Sequence, residues 1–339
     1  MSYPRKSKLR RVRRTRAIHG VAAIRSGYHW GLILTLTINP AVDRNVLADR
    51  LVFEDRAYIL SRSDSAGGRG INASRVLHSF GAETLAIATS GGKNGDLFEQ
   101  LLENCGFPID VVHINEEIRV NFTITDKHGL AIKLNELGPP LTNRDLERVE
   151  AAVAQRLGKA QWLMLCGSIP PGVSSDFYCQ LIRMARGHGV KTLLDTDGDA
   201  LLHGVEAEPT VVTPNQQEAE RLLNRALITR AHFRDAVQRI KDMGPESVIL
   251  SLGSRGAVAA DHDGAIEVMP PRIDARSPIG AGDALAAAFV WAATQGRSFR
   301  DCARWGVAAG TAKAQLPGLE FATPEQTQQV YPSVELRDV

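Results

Sequence analysis

The stretch Gly280-Ala281-Gly282-Asp283 contains the residue types needed to transfer a phosphoryl group to an alcohol. The glycines and the alanine leave the backbone N–H groups accessible, and the apolar run Ala284–Thr294 that follows predicts a helix. N–H groups at a helix N-terminus attract anions, so a carboxylate here opposes the binding of a phosphate. The conflict is resolved if Asp283 is a general base that takes the hydroxyl proton while the preceding N–H groups hold the migrating group. The alternative is an ordinary glycine turn in which Asp283 caps the helix.

A second glycine-rich segment, Gly67-Gly68-Arg69-Gly70-Ile71-Asn72, precedes another predicted helix. It does not directly follow the first strand of the chain, so it is not a dinucleotide-binding fingerprint. We expect its backbone to approach a polyol closely at Gly68, with the Asn72 amide donating to and accepting from neighbouring hydroxyls. Asp43 could accept hydrogen bonds from two sugar hydroxyls. The alternatives are a helix start with Asn72 in solvent and an Asx-type turn at Asp43.

Two cations, Arg119 and Lys133, lie on the two arms of a predicted hairpin, Val120–Thr125 and Ala131–Leu134. A lid that carries them over a cleft would bind an anionic substrate, since arginine forms bidentate contacts with phosphate. Arg56, in an earlier extended segment, is a third candidate for this role. The alternative is that all three are solvated strand charges.

Asn215 and Glu218 are three residues apart after a proline, so they share one face of the first turn of a helix. Such an oxygen pair suits water-mediated Mg²⁺ in a site where nucleotide phosphates supply other ligands. The alternative is helix capping with a solvent-facing glutamate. In the turn 251–256, residues Ser251, Gly253 and Gly256 would contact the nucleotide through backbone N–H groups.

The elements that position these residues alternate between strand and helix patterns, which predicts a parallel sheet covered by helices on both faces. The predicted strands are 32–38, 84–89, 110–114, 162–166, 192–195, 210–213 and 247–251, and the predicted helices are 70–80, 97–105, 143–157, 174–187, 216–223 and 231–243. Polar loops follow several of these strands and would line one cleft at their carboxyl ends. Ser168, in the loop 167–172, is a further candidate for substrate binding. The extended pieces at 46–60 and 118–134 do not fit the alternation and would form a separate small sheet.

The composition of the chain excludes some classes of protein. The chain has 339 residues and is 44% hydrophobic, enough for one large α/β domain, and its longest apolar run is too short to span a membrane. The four cysteines are scattered without a Cys-x-x-Cys pair, which favours a reducing cytosol over a disulfide framework or a zinc site.

The charge is segregated along the chain. Residues 1–30 contain nine Lys/Arg and no acid, so the net charge of +2 for the whole chain leaves −7 for residues 31–339. The remainder therefore offers no general case for nucleic-acid binding. We expect residues 1–30 to be a disordered extension or a product of an upstream start codon; a tether to nucleic acid or an anionic membrane, or a targeting peptide, are the alternatives.

The glycine-rich segments, the Gly167-Ser168-Ile169-Pro170-Pro171-Gly172 loop, Pro214-Asn215-x-x-Glu218 and Ser251-Leu252-Gly253 occur in the order of the ribokinase-like PfkB carbohydrate kinases. The resemblance covers about residues 32–332. Within the family, the 39–43 and 167–172 motifs look like the hexose-phosphate branch, which contains 1-phosphofructokinase, tagatose-6-phosphate kinase and the minor ATP-dependent 6-phosphofructokinase. Stretches 212–227, 269–271 and 304–311 most resemble the last of these.

The resemblance implies a three-layer α/β/α sandwich with a mainly parallel sheet and a small β-sheet lid that forms a homodimer. Residues 31–332 would be the kinase domain and 333–339 a C-terminal tail. Asp283 matches the catalytic base, and residues 280–282 match the anion hole. The remaining matches are to positions for the sugar (Asp43, Gly68, Asn72), the sugar phosphate (Arg119, Lys133), Mg²⁺ (Asn215, Glu218) and ATP (Ser251, Gly253, Gly256).

Three positions depart from the family pattern. Ser277-Pro278 stands where the family usually has Asn, Asp or Ser and then Thr, and Pro278 removes an N–H from a loop that holds monovalent cations in this family, so potassium activation is not expected. Arg69 and Thr213 replace other common residues without removing a charge that the chemistry needs.

The sequence therefore predicts an ATP- and Mg²⁺-dependent kinase for a ketohexose phosphate, with fructose 6-phosphate as the leading substrate. Phosphorylation of fructose 1-phosphate or tagatose 6-phosphate is the nearest alternative. A kinase for unphosphorylated sugars or nucleosides is less consistent with the cationic lid. A weakly catalytic sugar-phosphate-binding regulator that contacts nucleic acid through residues 1–30 is the most distant alternative.

Overall fold

The computed structural model describes residues 31–52 and 54–339 and contains two β-sheets. The basic extension 1–30 lies outside the described residues. The larger sheet has ten strands in the order β14-β13-β12-β11-β10-β9-β8-β1-β4-β5. Its strands are β1 (Leu32–Thr37), β4 (Thr84–Ser90), β5 (Ile109–His113), β8 (Ala160–Cys166), β9 (Lys191–Asp195), β10 (Val211–Val212), β11 (Ser247–Ser251), β12 (Ala257–Asp261), β13 (Gly264–Met269) and β14 (Glu335–Asp338).

Helices cover both faces of this sheet, which gives the three-layer α/β/α sandwich. The helices are α1 (Arg69–Ser79), α2 (Gly92–Glu103), α3 (Asn143–Leu157), α4 (Phe177–Gly187), α5 (Gly198–Glu206), α6 (Gln216–Leu222), α7 (Arg230–Asp242), α8 (Ala281–Thr294), α9 (Phe299–Ala314) and α10 (Pro324–Val330). Helices α8 and α9 and most apolar residues of α1 are buried in one core layer, while α2 to α5 and α7 bury theirs in the other, which Ile71 of α1 also joins. The runs of buried aliphatic residues in the central strands are what a sheet covered on both sides requires.

The strand order changes direction at β1. The chain runs from β1 outward to β4 and β5, and then returns to β8 on the other side of β1. The strands from β5 to β11 are parallel, so their carboxyl ends meet at one edge. A switch point of this kind opens a crevice at the carboxyl ends of the strands, which is where ligands bind in doubly wound sheets.

The smaller sheet has four strands in the order β3-β2-β6-β7. These are β2 (Ala41–Ala48), β3 (Ile59–Gly67), β6 (Arg119–Asp126) and β7 (Ala131–Asn135), and β6 and β7 form the predicted antiparallel hairpin. The register puts Asp43, Asn121 and Lys133 on one face of this sheet. Phe122, Leu134 and other apolar residues lie on the opposite face, together with Arg62 and the ion-paired Arg44 and Asp64.

The structure corrects some predicted boundaries. Residues 333–339 are not a tail, because Glu335–Asp338 pair with β13 at the edge of the large sheet. Val334 is buried and Leu336 pairs with Val268, so this short segment is fixed by its apolar residues. The small sheet is also larger than the predicted pieces at 46–60 and 118–134, since its strands begin at Ala41 and extend to Gly67.

In the described part of the chain, no helix is long and apolar enough to cross a membrane.

Candidate active site

The N-terminus of α8 is shaped by two glycines with different roles. Gly280 caps the helix in the left-handed region at φ 80°, and a Cβ there would lie 3.0 Å from the Phe321 ring, so both conformation and space favour glycine. Around Gly282, by contrast, an added Cβ meets no atom within 4 Å. The backbone at Gly282 therefore faces open space in which a ligand can be placed.

The N–H groups at this turn are mostly available. The Ala281 N–H donates to the Pro278 carbonyl at 3.2 Å, and the Ala284 N–H donates to the Gly280 carbonyl at 2.9 Å. Within the described residues, the N–H groups of Gly280, Gly282 and Asp283 have no backbone acceptor. In the predicted anion hole, the N–H of Ala281 is therefore already hydrogen-bonded. The N–H groups of Gly280, Gly282 and Asp283 are the donors that can bind an anion.

Asp283 lies beside Asn72, as the two glycine-rich segments come together. Asn72 Nδ2 donates to Asp283 Oδ2 across 2.7 Å, although the residues are 211 apart in sequence. Burial and the neighbouring Asp195 raise the pKa of Asp283 to about 7, against the lowering effects of Asn72 and Arg69. A carboxyl group with that pKa can accept a proton near neutral pH.

The segment before α1 packs as closely as its glycines predict. A Cβ at Gly67 would lie 2.3 Å from the Asp43 carboxylate, and one at Gly70 would lie 2.4 Å from Thr37 Oγ1. Gly68 has a φ of 124°, outside the range of most other residues. These positions bring the backbone of α1 against β1 and the small sheet, so the Asn72 amide is held at the crevice. Asn72 Oδ1 is buried without a partner in the described structure and can accept from a substrate hydroxyl.

Asp43 projects from β2 on the polar face of the small sheet. Asn121 Nδ2 donates to Asp43 Oδ1 at 2.9 Å, so this carboxylate is fixed by a neighbouring strand and is not in an Asx-type turn. Burial raises the pKa of Asp43, and the hydrogen bond from Asn121 and the charge of Arg119 partly offset that effect. The second carboxylate oxygen of Asp43 accepts no hydrogen bond from the described residues, so it is available for sugar hydroxyls.

Arg69 is the centre of an ion-pair cluster that the sequence did not predict. Its guanidinium lies 2.8 Å from Asp195 Oδ1, 3.0 Å from Asp197 Oδ2 and 3.2 Å from Glu218 Oε1. The attraction of Asp195 in particular raises the pKa of Arg69, so the guanidinium is charged at all relevant pH values. It therefore connects the starts of α1, α5 and α6 at the edge of the sheet.

Asn215 and Glu218 form a reciprocal capping box at the start of α6. Asn215 Oδ1 accepts from the Glu218 N–H at 2.9 Å, and Glu218 Oε2 accepts from the Asn215 N–H at 2.8 Å. The capping alternative is therefore correct for these contacts, but Glu218 is only 5% exposed and its other oxygen faces Arg69. Burial raises the pKa of Glu218, with Arg69 opposing the shift.

The turn predicted to bind the nucleotide lies next to this capping box. Ser251 forms a bridge with Asn215, and its N–H donates to the Pro214 carbonyl at 2.9 Å. Gly253 and Gly256 both have positive φ, and a Cβ at Gly256 would lie 2.0 Å from a carbonyl oxygen of β13. The three predicted nucleotide-binding residues are thus in one short turn at the sheet edge.

The predicted cations are in different situations. Arg119 donates to the carbonyls of Asn39 at 2.9 Å and Glu136 at 3.0 Å, while its buried Nε has no partner in the described structure. Lys133 lies opposite Thr123 on the polar face of the small sheet. Arg56 lies in the exposed connection between β2 and β3, and no hydrogen bond or ion pair joins it to the other predicted site residues within the described chain.

Ser168 lies at the other side of the crevice. Its Oγ accepts from Asn39 Nδ2 at 3.2 Å, and the same Nδ2 donates to the Leu137 carbonyl. Asn39 thus joins the end of β1 to the loop after β8 and to the end of the hairpin. The hydroxyl of Ser168 is held at the crevice, where it can contact a bound sugar.

The carboxylates around Arg69 fit a divalent cation. Asp195, Asp197, Glu218 and Asp283 act on a single guanidinium, so the cluster has more negative than positive charge when it is ionised. Burial is the main cause of the raised pKa values of Glu218 and Asp283, and the charge of Asp195 raises both pKa values further. Carboxylate and amide oxygens are the donors that Mg²⁺ prefers, so the residues present suit a Mg²⁺ that arrives with nucleotide phosphates.

Polar loops after the strands were predicted to line the cleft, but no role at the site was predicted for Asp195, Asp197 or Arg69. The signal for the two aspartates was their position directly after a buried strand. Arg69 offered a weaker signal, a charged residue inside a glycine-rich helix start.

Most of the chain is similar to known carbohydrate kinases. Residues 37–326 match the family described as pfkB family carbohydrate kinase. The chain is 30% identical over 302 residues to the ATP-dependent 6-phosphofructokinase isozyme 2 of Escherichia coli, covering 88% of this chain and 97% of the relative. It is 27% identical over 294 residues to a 1-phosphofructokinase of Vibrio cholerae, covering 87% and 93%. It is 30% identical over 268 residues to a tagatose-6-phosphate kinase of Staphylococcus epidermidis, covering 76% and 83%.

Solved structures share the fold. A crystal structure of phosphofructokinase-2 from Escherichia coli in complex with potassium has a TM-score of 0.85 and 29% identity, covering 89% of this chain and 98% of that chain. The tetrameric inhibited form of the same protein has a TM-score of 0.83 and 30% identity over the same shares. This chain therefore belongs to the pfkB family of carbohydrate kinases, in the branch of the hexose-phosphate kinases.

Proposed function

We propose that this protein transfers the terminal phosphoryl group of ATP to fructose 6-phosphate and so forms fructose 1,6-bisphosphate. The observation that carries the proposal is the Asp283 carboxylate, with a pKa of about 7, hydrogen-bonded to Asn72 beside unpaired N–H groups at the start of α8. It combines a base for a hydroxyl proton with donors for a transferred phosphoryl group. Positioning and electrostatics of this kind dominate phosphoryl transfer.

In this mechanism Asn72 holds Asp283 so that its other oxygen can accept the proton of the acceptor hydroxyl. The N–H groups of Gly280, Gly282 and Asp283 stabilise the negative charge that develops on the transferred group. Arg69 keeps Asp195 and Glu218 in place and adds a positive charge at the same edge. Mg²⁺, held by Glu218 and by Asn215 through water, would neutralise nucleotide phosphate charge when bound.

For the sugar phosphate, we assign the ring hydroxyls to Asp43, Gly68, Asn72 and Ser168. The phosphate is assigned to Arg119 and Lys133. Support comes from the common face of Asp43, Asn121 and Lys133 in the small sheet, and from the unpaired Nε of Arg119. Arg119 also fixes two backbone carbonyls, so it couples the lid to the crevice. Arg56 has no comparable support.

The choice of fructose 6-phosphate rests on the similarity to the 6-phosphofructokinase relative, and the other relatives keep fructose 1-phosphate and tagatose 6-phosphate as alternatives. An assay of ADP release with each of these three sugars, and with fructose and ribose, separates the cases. The proposal expects the highest kcat/KM with fructose 6-phosphate and little turnover of the unphosphorylated sugars. A higher kcat/KM with either other sugar phosphate would reassign the substrate, and turnover of none would favour the regulator.

The small sheet supports a homodimer. Its apolar face includes Ile59, which is 66% exposed, and Leu134, which is 54% exposed. Exposed apolar residues on one face of a sheet are typical of an interaction surface. The relative from Escherichia coli has a tetrameric form, which is consistent with association in this family.

We also propose a cytoplasmic location. All four cysteines are free thiols, and three of them are buried, which suits a reducing compartment. No part of the proposed chemistry requires nucleic acid. Residues 1–30 remain the one segment whose charge would permit that contact.

A further inference from the structure

Lys313, in the last turn of α9, is a buried lysine that the proposed chemistry does not use. Its exposed fraction is 0%, and it is among the largest fully buried side chains of the described chain. Lysine is rarely buried in full unless its charge is compensated, because removing an ammonium from water is costly. A lysine in this position therefore calls for a specific partner.

The contacts of Lys313 are with a backbone carbonyl and an aromatic ring. Its Nζ donates to the Gly318 carbonyl at 2.8 Å and lies 6.0 Å from the centre of the Phe321 ring. Within the described residues it forms no ion pair. The carboxylates that act on it at longer range are those of Glu320 and Asp283. The ammonium is thus held in the way that a monovalent cation is held, by a carbonyl oxygen and not by a counter-ion.

The Gly318 carbonyl that binds Lys313 also accepts a hydrogen bond from the loop that leads into the catalytic turn. Ser277 Oγ donates to the same Gly318 oxygen at 3.1 Å, and it accepts from the Ile279 N–H at 3.4 Å. The N–H groups of Arg276 and Ser277 donate to the Ala314 carbonyl at 2.7 and 3.1 Å. The C-terminus of α9 and the turn after it therefore fix the start of the segment that precedes Gly280, and the Ser277 hydroxyl links that start to Ile279.

The aromatic partner of Lys313 meets the catalytic turn directly. Phe321 is the ring that a Cβ at Gly280 would touch at 3.0 Å. The start of α8 is also packed tightly on α9, because a Cβ at Gly310 would lie 2.9 Å from the Ala281 carbonyl. Loss of the ammonium would remove one of the two side-chain donors to the Gly318 carbonyl and the cation beside the Phe321 ring, which lies against Gly280.

We propose that Lys313 is a positioning residue whose ammonium acts as a built-in monovalent cation and holds the 276–280 loop where α8 presents its N–H groups and Asp283. Only the expected effect on kcat rests on the proposed function; the positioning of the loop by Lys313 does not. Because the cation is part of the chain, activity requires no potassium. Wild-type kcat should therefore be the same in tetramethylammonium chloride as in potassium chloride.

The test replaces Lys313 with alanine, which removes the charge and leaves space, and with methionine, which removes the charge and fills the space. In a medium without potassium, Lys313→Ala should lower kcat by about 10- to 100-fold, the range for a misplaced catalytic group. Potassium or ammonium chloride should restore much of that loss. Lys313→Met should show a similar loss and no recovery, since it leaves no room for the ion. Wild-type levels of kcat in Lys313→Met, or a wild type that needs potassium, would overturn the proposal.

A second readout does not depend on the substrate. Thermal unfolding of Lys313→Ala should shift to higher temperature with potassium compared with tetramethylammonium, because an ion that binds only the folded state stabilises it. Wild type and Lys313→Met should show no such difference. This result would stand even if the sugar were misassigned, and its absence would count against Lys313 alone.

A matched control is available in Lys191→Ala. Lys191 also lies over an aromatic ring, that of Trp162 at 5.8 Å, but at the start of β9, the end of the strand opposite Asp195. Its replacement should leave kcat unchanged and independent of the cation. Rescue of this variant by potassium would show a general salt effect and would refute the specific role of Lys313.

Discussion

Arg69 Nη1 donates to Asp195 Oδ1 across 2.8 Å and so joins the glycine-rich start of α1 to the carboxyl end of β9. The two residues are 126 apart in sequence. Through its other nitrogen, Arg69 also reaches Asp197 and Glu218. One guanidinium thus neutralises carboxylates from three elements at the point where the nucleotide phosphates and the metal are proposed to lie.

Replacing Arg69 with methionine should destabilise the protein and increase its response to Mg²⁺. The carboxylates of Asp195 and Glu218 would lose their cation, and we expect a loss of about 2–3 kcal/mol in the free energy of unfolding, below the cost for a fully buried pair because Arg69 is partly exposed. Mg²⁺ without nucleotide should raise the unfolding temperature of Arg69→Met more than that of wild type.

The control for this experiment is Arg44→Met. Arg44 forms a similar ion pair with Asp64 at 2.8 Å, on the small sheet away from the carboxylate cluster. Loss of this ion pair should lower the stability, but Mg²⁺ should not raise the unfolding temperature of Arg44→Met more than that of wild type. Equal responses to Mg²⁺ in wild type and Arg69→Met would argue against a metal at these carboxylates.

The pH dependence of kcat/KM should report the ionisation of Asp283. Its pKa is raised to about 7, so the carboxylate form, which is the active base, is lost as the pH falls below that value. We expect kcat/KM to decrease about 10-fold for each pH unit below about pH 6 and to level off above pH 8. Asn72→Leu removes a hydrogen bond that lowers this pKa, so the midpoint of its profile should move to higher pH. If the midpoint of the profile does not move in Asn72→Leu, the pH dependence does not arise from the ionisation of Asp283.

Arg119→Ala should raise the KM for the sugar phosphate by about 10- to 100-fold, which corresponds to the loss of hydrogen bonds to a charged group. The KM for ATP should change little. Arg62→Ala is the control, because Arg62 lies opposite Val46 on the other face of the same sheet. An unchanged KM in Arg119→Ala would mean that the phosphate is bound elsewhere, and a raised KM in Arg56→Ala would restore Arg56 as a site residue.

Leu134→Glu should disrupt the proposed dimer, since it puts a charge on the exposed apolar face of the small sheet. Light scattering of the wild type should give about twice the protomer mass of 36.8 kDa, and that of the variant should give the protomer mass. Ile228→Glu changes an even more exposed apolar residue outside this sheet, 75% exposed against 54% for Leu134, and should leave the mass unchanged. A monomeric wild type, or a dimeric Leu134→Glu, would contradict the assignment of the interface.

Local patterns in the sequence were sufficient to predict a parallel sheet covered by helices on both faces. They also indicated Asn72 and Asp283 as candidate site residues, but not the hydrogen bond between them. Helix α3 has the predicted bounds because a capping box marks its start. Strand β11 has the predicted bounds because it is a run of buried aliphatic residues. Helix α5 was not predicted, since its nine residues include two glycines and only a short apolar pattern. Strand β14 was missed because three of its four residues are charged.

The role of Arg69 depends on contacts that no local pattern contains. Its partners come from the end of β9, the start of α5 and the start of α6, and only the folded sheet brings them together. The same holds for Lys313, whose partner Gly318 is near in sequence but matters because Ser277 binds the same oxygen. Glycine spacing predicted where the backbone turns, whereas the balance of charge at the site depended on the tertiary structure.

The most direct test of the proposed function is the turnover of Asp283→Asn with fructose 6-phosphate, measured together with ATP binding. Asparagine keeps the shape of the side chain but cannot take the hydroxyl proton, so kcat should fall by about 100- to 10,000-fold while the dissociation constant for ATP stays within a few-fold of wild type. A near-normal kcat in Asp283→Asn would contradict the account, because phosphoryl transfer would then proceed without the base on which the proposed mechanism depends.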